Sequence, residues 1–101
     1  MQKKKILKLS KILKEISLYF DIPEKSIRSK LRQRDVVISR YIFAKIAREQ
    51  IINRQYYYTL TDIGDYIGVD HSTAHYYIEN YRYYDLAVYH GNNIKKLLEN
   101  V

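Results

Sequence analysis

With 101 residues, 12.2 kDa and no cysteine, the chain is one domain in size, and neither disulfides nor thiolate metal sites are available to it. Three glycines and one proline leave little material for tight hairpin turns and argue for helices over sheet, while 14% aromatics, 12 of them tyrosine, exclude a disordered basic tail. The net charge of +7 is unevenly spread: residues 1–54 hold fifteen basic and five acidic side chains (+10), residues 55–101 three and six (−3). Such a split points to a polyanionic partner for the first half, with nucleic acid leading, because clustered Lys and Arg supply the sequence-independent part of its binding.

Residues 1–5 read as a short basic arm. Ile6, Leu9, Leu13, Ile16 and Phe20 then recur at helical spacing and predict an amphipathic helix, with Lys4, Lys8, Lys11 and Glu15 on its other face. Lys8, Lys11 and Lys14 interrupt every apolar stretch, so neither a signal peptide nor a membrane span is expected, and a cytoplasmic, nucleoid-associated location follows. Asp21-Ile22-Pro23-Glu24 restarts a short helix over residues 23–30. Leu31-Arg32-Gln33-Arg34 reads as a basic loop closed by Asp35 as N-cap. The longest helix is predicted over residues 36–52, burying Ile42, Phe43, Ile46, Ala47 and Ile51, with Arg40, Lys45 and Arg48 off that face. Residues 53–58 read as a loop. No repeat or low-complexity linker appears, so residues 1–101 form one domain, with residues 1–11 as arm and helix start.

Residues 60–84 fit a helix-turn-helix. Two short helices that cross steeply need a residue without bulk where they touch, and Gly64 stands there; the turn needs positive φ, and Gly68 follows four positions later. Ile63, Ile67, Val69, Ala74 and Tyr77 fall where the motif buries apolar groups. Asp70 is placed to cap the second helix, leaving His71, Ser72, Thr73 and Tyr76 at its exposed N-terminal part, the end that reaches base edges. Tyr77 and Tyr81 read as core, Tyr76 and Tyr83 as outward-facing. The alternative for this stretch is two packed helices with a glycine between them.

Other chemistries fit less well. His71 and His75 are four apart, a spacing that can hold zinc, but no third ligand accompanies them, and no metal or other cofactor is expected. No Gly-rich phosphate loop is present, and a nicking tyrosine would need an arginine set that the tyrosine-rich half lacks. A non-enzymatic all-α domain is expected, a compact bundle of five to six helices.

From about residue 12 to residue 84 the chain resembles the C-terminal DNA-binding domain (domain IV) of the bacterial replication initiator DnaA. The resemblance rests on Tyr19-Phe20-Asp21-Ile22, on Ser29-Lys30-Leu31-Arg32-Gln33-Arg34, on Arg40, and on Leu60-Thr61-Asp62-Ile63-Gly64 leading to Asp70-His71-Ser72-Thr73. It implies a Trp-repressor-like helical fold that binds a short asymmetric box in double-stranded DNA as a monomer. By position it implies that Arg32 enters the minor groove, that Arg40 contacts phosphate, and that Asp70, His71, Ser72 and Thr73 read the major groove. The chain departs from the family at Gly68-Val69, one residue shorter than the usual Gly-Gly-Arg, and at Ser39 and Tyr41, where Pro and Gln are common. The ATPase module of the family is not among these residues.

Charge and resemblance converge. Residues 60–85 hold five acids and one base, Arg82, so the helix-turn-helix needs the basic half beside it on one DNA face. Affinity is expected from Lys30, Arg32, Arg34, Arg40, Lys45 and Arg48, and base choice from Asp70, His71, Ser72, Thr73 and Tyr76. Replication initiation or transcription control is the expected role. The competing expectation is an interaction module, docking on a replication protein or an anionic membrane surface through its lysine-rich first helix.

Overall fold

The computed structural model describes residues 5–100. In chain order they form α1 (Leu9–Phe20), α2 (Glu24–Ile27), α3 (Arg34–Arg48), the short strands β1 (Ile51–Ile52) and β2 (Gln55–Tyr56), α4 (Leu60–Ile67), α5 (His71–Asn80), a 3₁₀ turn (Tyr81–Tyr83) and α6 (Asp85–Glu99). The basic arm, Lys5 apart, lies outside the described residues.

Helix α3 is the hub, because its sequence is apolar around most of its circumference. Val36, Ile38, Ile42, Phe43, Ala44, Ile46 and Ala47 are all buried, and a helix buried on so many sides must be covered on each of them. The other five helices all pack on it. They supply Ile12, Leu13 and Ile16 from α1, Ile27 from α2, Ile63 and Ile67 from α4, Ala74 from α5, and Ala87, Ile94 and Leu98 from α6, which join in one continuous core. The all-α expectation and the helix-turn-helix both hold.

Several boundaries differ from the sequence reading. Asp35 does not cap α3; the helix starts two residues earlier, at Arg34 with Gln33 in the cap position, and Asp35 sits in its first turn, where a carboxylate suits the helix dipole. The helix also ends at Arg48 and not near residue 52. There the buried Gln50 donates from Nε2 to the Ile46 carbonyl at 2.9 Å and accepts the Leu7 N–H at 3.0 Å, which turns the chain outward. Ile51, expected in the core, is therefore exposed.

It begins a small antiparallel hairpin where the sequence predicts a loop, although glycine and proline are scarce in this chain. Ile51 pairs with Tyr56 and Ile52 with Gln55. The two residues between them, Asn53 and Arg54, take φ of +53° and +65°, the conformation of a two-residue type I′ turn, made here without glycine. Helix α2 is shorter than the expected 23–30 span, and Ile6 lies outside α1. Residues beyond Tyr84, unassigned from sequence, form the 15-residue α6.

Candidate nucleic-acid interface

The helix-turn-helix is closed by two glycines whose roles are steric. A Cβ on Gly64 would come within 2.5 Å of the Val69 carbonyl oxygen, so only a bare backbone lets α4 touch the turn. Gly68 ends α4 at φ +78°, and a Cβ there would lie 2.8 Å from the Arg28 carbonyl oxygen at the end of α2. The turn of the motif thus rests on the segment that leads into the basic loop. Arg28 reinforces the contact, with its guanidinium 5.0 Å from the centre of the Tyr66 ring on α4.

Asp70 caps α5 as its position suggests: Oδ1 accepts the Thr73 N–H at 2.8 Å. That hydrogen bond, seconded by the Thr73 hydroxyl, holds the carboxyl below its ordinary pKa, so it stays ionised at the helix N-terminus. His71, Ser72, His75, Tyr76 and Glu79 form the exposed face of α5, with Thr73 half-buried beside them.

The basic loop is held from beneath by Arg40, and here the sequence reading needs correction. Helical spacing puts Arg40 off the buried face, yet it is 5% exposed. Its Nε donates to the Ile27 carbonyl at 2.8 Å, and its Nη2 to the carbonyls of Ser29 at 2.5 Å and Ser26 at 3.5 Å. A guanidinium presents its donors in a rigid fork, which suits a cluster of carbonyls at the end of a short helix. The side chain ties α3 to the loop, and two of its three nitrogens are committed within the protein.

Between the loop and α5 lies an open cavity of about 720 Å³, lined by Ser29, Lys30, Arg32, Val37, Arg40, Tyr41, Gly68, Val69, Asp70, Thr73, Tyr76 and Tyr77. Six of the residues singled out from sequence (Lys30, Arg32, Arg40, Asp70, Thr73 and Tyr76) therefore meet around one space. His71 and Ser72 do not line it; they lie exposed on the first turn of α5.

The aromatic wall includes a residue that charge and motif reasoning passed over as a site. Tyr41 packs its ring 6.3 Å from Tyr76, 4.8 Å from Tyr77 and 5.2 Å from Tyr84, centre to centre. Burial first, then a hydrogen bond with the Tyr76 phenol and the neighbouring rings, push its pKa up to about 12. Its one sequence signal is its place directly after Arg40, where the DnaA resemblance leads one to expect glutamine.

Three other candidates lie elsewhere. Arg34 is exposed at the start of α3, 3.7 Å from Asp35. Lys45 faces Glu49 at 3.8 Å, a carboxylate that Lys95 of α6 also holds at 3.0 Å. Arg48 donates to the Tyr58 carbonyl at 3.1 Å and stacks 3.7 Å over the Tyr56 ring. Lys45 and Arg48 line a second cavity of about 400 Å³ with Glu49, Ile51, Tyr56, Ile78, Glu79 and Arg82, separate from the first.

The sequence model of the bacterial DnaA protein helix-turn-helix family matches residues 9–80, the first residue of α1 to the last of α5. The chain belongs to this family. It is a DnaA-type helix-turn-helix domain, and DNA binding is the function that accompanies that family. Both walls of the larger cavity fall within the DnaA match, whereas the 3₁₀ turn and α6 lie beyond it. No curated protein matches the chain. Among the described residues, no helix is long and apolar enough to cross a membrane, and no three His, Cys, Asp or Glu side chains gather as a metal site.

Proposed function

We propose that this DnaA-type domain binds double-stranded DNA at a short asymmetric box, as a monomer, in replication initiation or transcription control. The observation that carries the reading is the shared cavity: the basic loop bearing Lys30 and Arg32 faces the N-terminal turn of α5 across one open space. The N-terminus of α5 enters the major groove and presents His71, Ser72, Thr73 and Tyr76 to base edges. Arg32, exposed on the loop, reaches the adjacent minor groove, where an arginine senses both charge and groove width. Lys30 supplies phosphate contact. Arg40 holds the loop in place, with only Nη1 free to meet a phosphate, and Asp70 orders the first turn of α5.

Selection of bound duplexes from a random pool, followed by anisotropy titration at several salt concentrations, tests the reading. Enrichment of a short asymmetric box, with log K falling against log[salt], is the expected result. Absence of enrichment together with a salt slope near zero would overturn it. A palindromic box would overturn the monomer.

A further inference from the structure

At about 100° per residue, the exposed face of α5 has two flanks. Thr73, Tyr76 and Tyr77 lie on one and line the cavity shared with the basic loop. Ile78 and, one turn on, Arg82 lie on the other and line the cavity shared with the β1–β2 hairpin. Loop and hairpin therefore straddle the outward face of the same helix. A helix seated in the major groove, about 12 Å wide, has a phosphate backbone on each side, and the basic loop accounts for only one of them.

The hairpin has the chemistry of the missing contact. All residues from 51 to 57 are exposed, and Arg54 occupies the tip of the turn. Among the described residues no carboxylate lies within ion-pair distance of Arg54 or of Arg82. Of the acids that line the same cavity as Arg82, Glu49 is held by two lysines, and Glu79 lies 4.0 Å from His75. The base of the hairpin is fixed to α3 by Arg48, which stacks on Tyr56 and bonds the Tyr58 carbonyl. A fixed arm ending in an uncommitted cation suits a polyanion.

We propose that the β1–β2 hairpin is a second phosphate-binding arm, which meets the duplex backbone on the side of α5 opposite the basic loop through Arg54, with Arg82 beside it. The proposal rests on the DNA-binding reading above and extends it to flanking DNA that the recognition helix does not touch. The match to one ligand class is charge complementarity together with continuity along α5.

Arg54→Gly is the informative variant, because Asn-Gly is the preferred pair for this turn and the fold is kept while the charge is removed. Wild type and variant are titrated by anisotropy, at one moderate salt concentration, against the selected box with ten flanking base pairs on each side and against the box alone. On the long duplex Arg54→Gly is expected to bind about 3- to 10-fold more weakly and to lower the salt slope by about one; on the box alone the two proteins match. Uncharged methylphosphonates placed singly along the flanking backbone should weaken wild type at one or two positions and leave the variant unaffected there. Equal binding of both proteins to the long duplex, with equal salt slopes, overturns the hairpin contact while leaving the DNA reading intact. Failure of wild type to bind any duplex overturns both.

Discussion

The phenol of Tyr81 ends against the backbone of Gly91, in the space that a side chain at position 91 would fill. Tyr81 is buried, its hydroxyl has no hydrogen-bond partner among the described residues, and the ring locks the 3₁₀ turn after α5 onto α6. Gly91→Ala should therefore destabilise the domain by about 1–3 kcal/mol despite the better helix propensity of alanine. Tyr81→Phe, which removes an unpaired buried hydroxyl, should be neutral or stabilising by about 1 kcal/mol, and should partly rescue Gly91→Ala. Thermal unfolding followed by circular dichroism of the two single variants and the double variant checks all three.

Arg40 separates folding from binding. Its loss leaves the Ile27 and Ser29 carbonyls without their donor, so Arg40→Ala should cost about 2–3 kcal/mol of stability. Lysine, with one compact ammonium, should recover only part of that. A pure phosphate contact would instead leave the melting temperature untouched and weaken all DNA alike. Arg32→Ala, at an exposed position, is the control that should keep the melting temperature.

Within the DNA-binding proposal, His71→Ala and Ser72→Ala should each cost about 1–3 kcal/mol on the selected box and little on random duplex. Arg32→Ala should weaken both, with the larger effect where the minor groove is narrow. Anisotropy at a single salt concentration ranks the three variants. Equal small losses on both DNAs would remove α5 as the reading element.

Alkali should unfold the domain through two phenols. Tyr41 and Tyr81 both rise from the ordinary 10.0 to about 12, chiefly because burial disfavours phenolate, with the Glu49 carboxylate adding to the effect at Tyr81. A folded-state pKa above the unfolded one means that this stabilisation is fully present below pH 10 and is lost as pH rises towards 12. Denaturant midpoints measured from pH 8 upwards should fall across that window. Tyr41→Phe with Tyr81→Phe should flatten the fall.

The helix-turn-helix was legible because its demands are local. Gly64 and Gly68 at their spacing, with Asp70 as cap, follow from steric needs that one stretch of sequence states by itself. Arg40 was not legible in the same way. It stands between Val36 and Phe43 at helical spacing, but a charge there says nothing of the carbonyls of α2 that fold over it. The hairpin was hidden because its turn is Asn53-Arg54 and lacks the glycine that normally marks such a turn. Helix α6 was obscured by Gly91-Asn92-Asn93 in its middle, poor helix formers whose adoption depends on Tyr81 and on Tyr19, the latter accepting a hydrogen bond from Asn93 at 3.0 Å.

The contact of Gly68 with the Arg28 carbonyl, together with the grip of Arg40 on the same segment, has a consequence for DNA. The loop bearing Arg32 and the helix bearing His71 are fixed to one frame, so on the proposed DNA-binding reading the distance between their two points of attachment on a duplex cannot adjust. One base pair added between the minor-groove and major-groove halves of the box would turn one half away from the other by about 35°. The domain then acts as a caliper for helical phase, and should reject a box of correct bases whose two parts are one step too far apart.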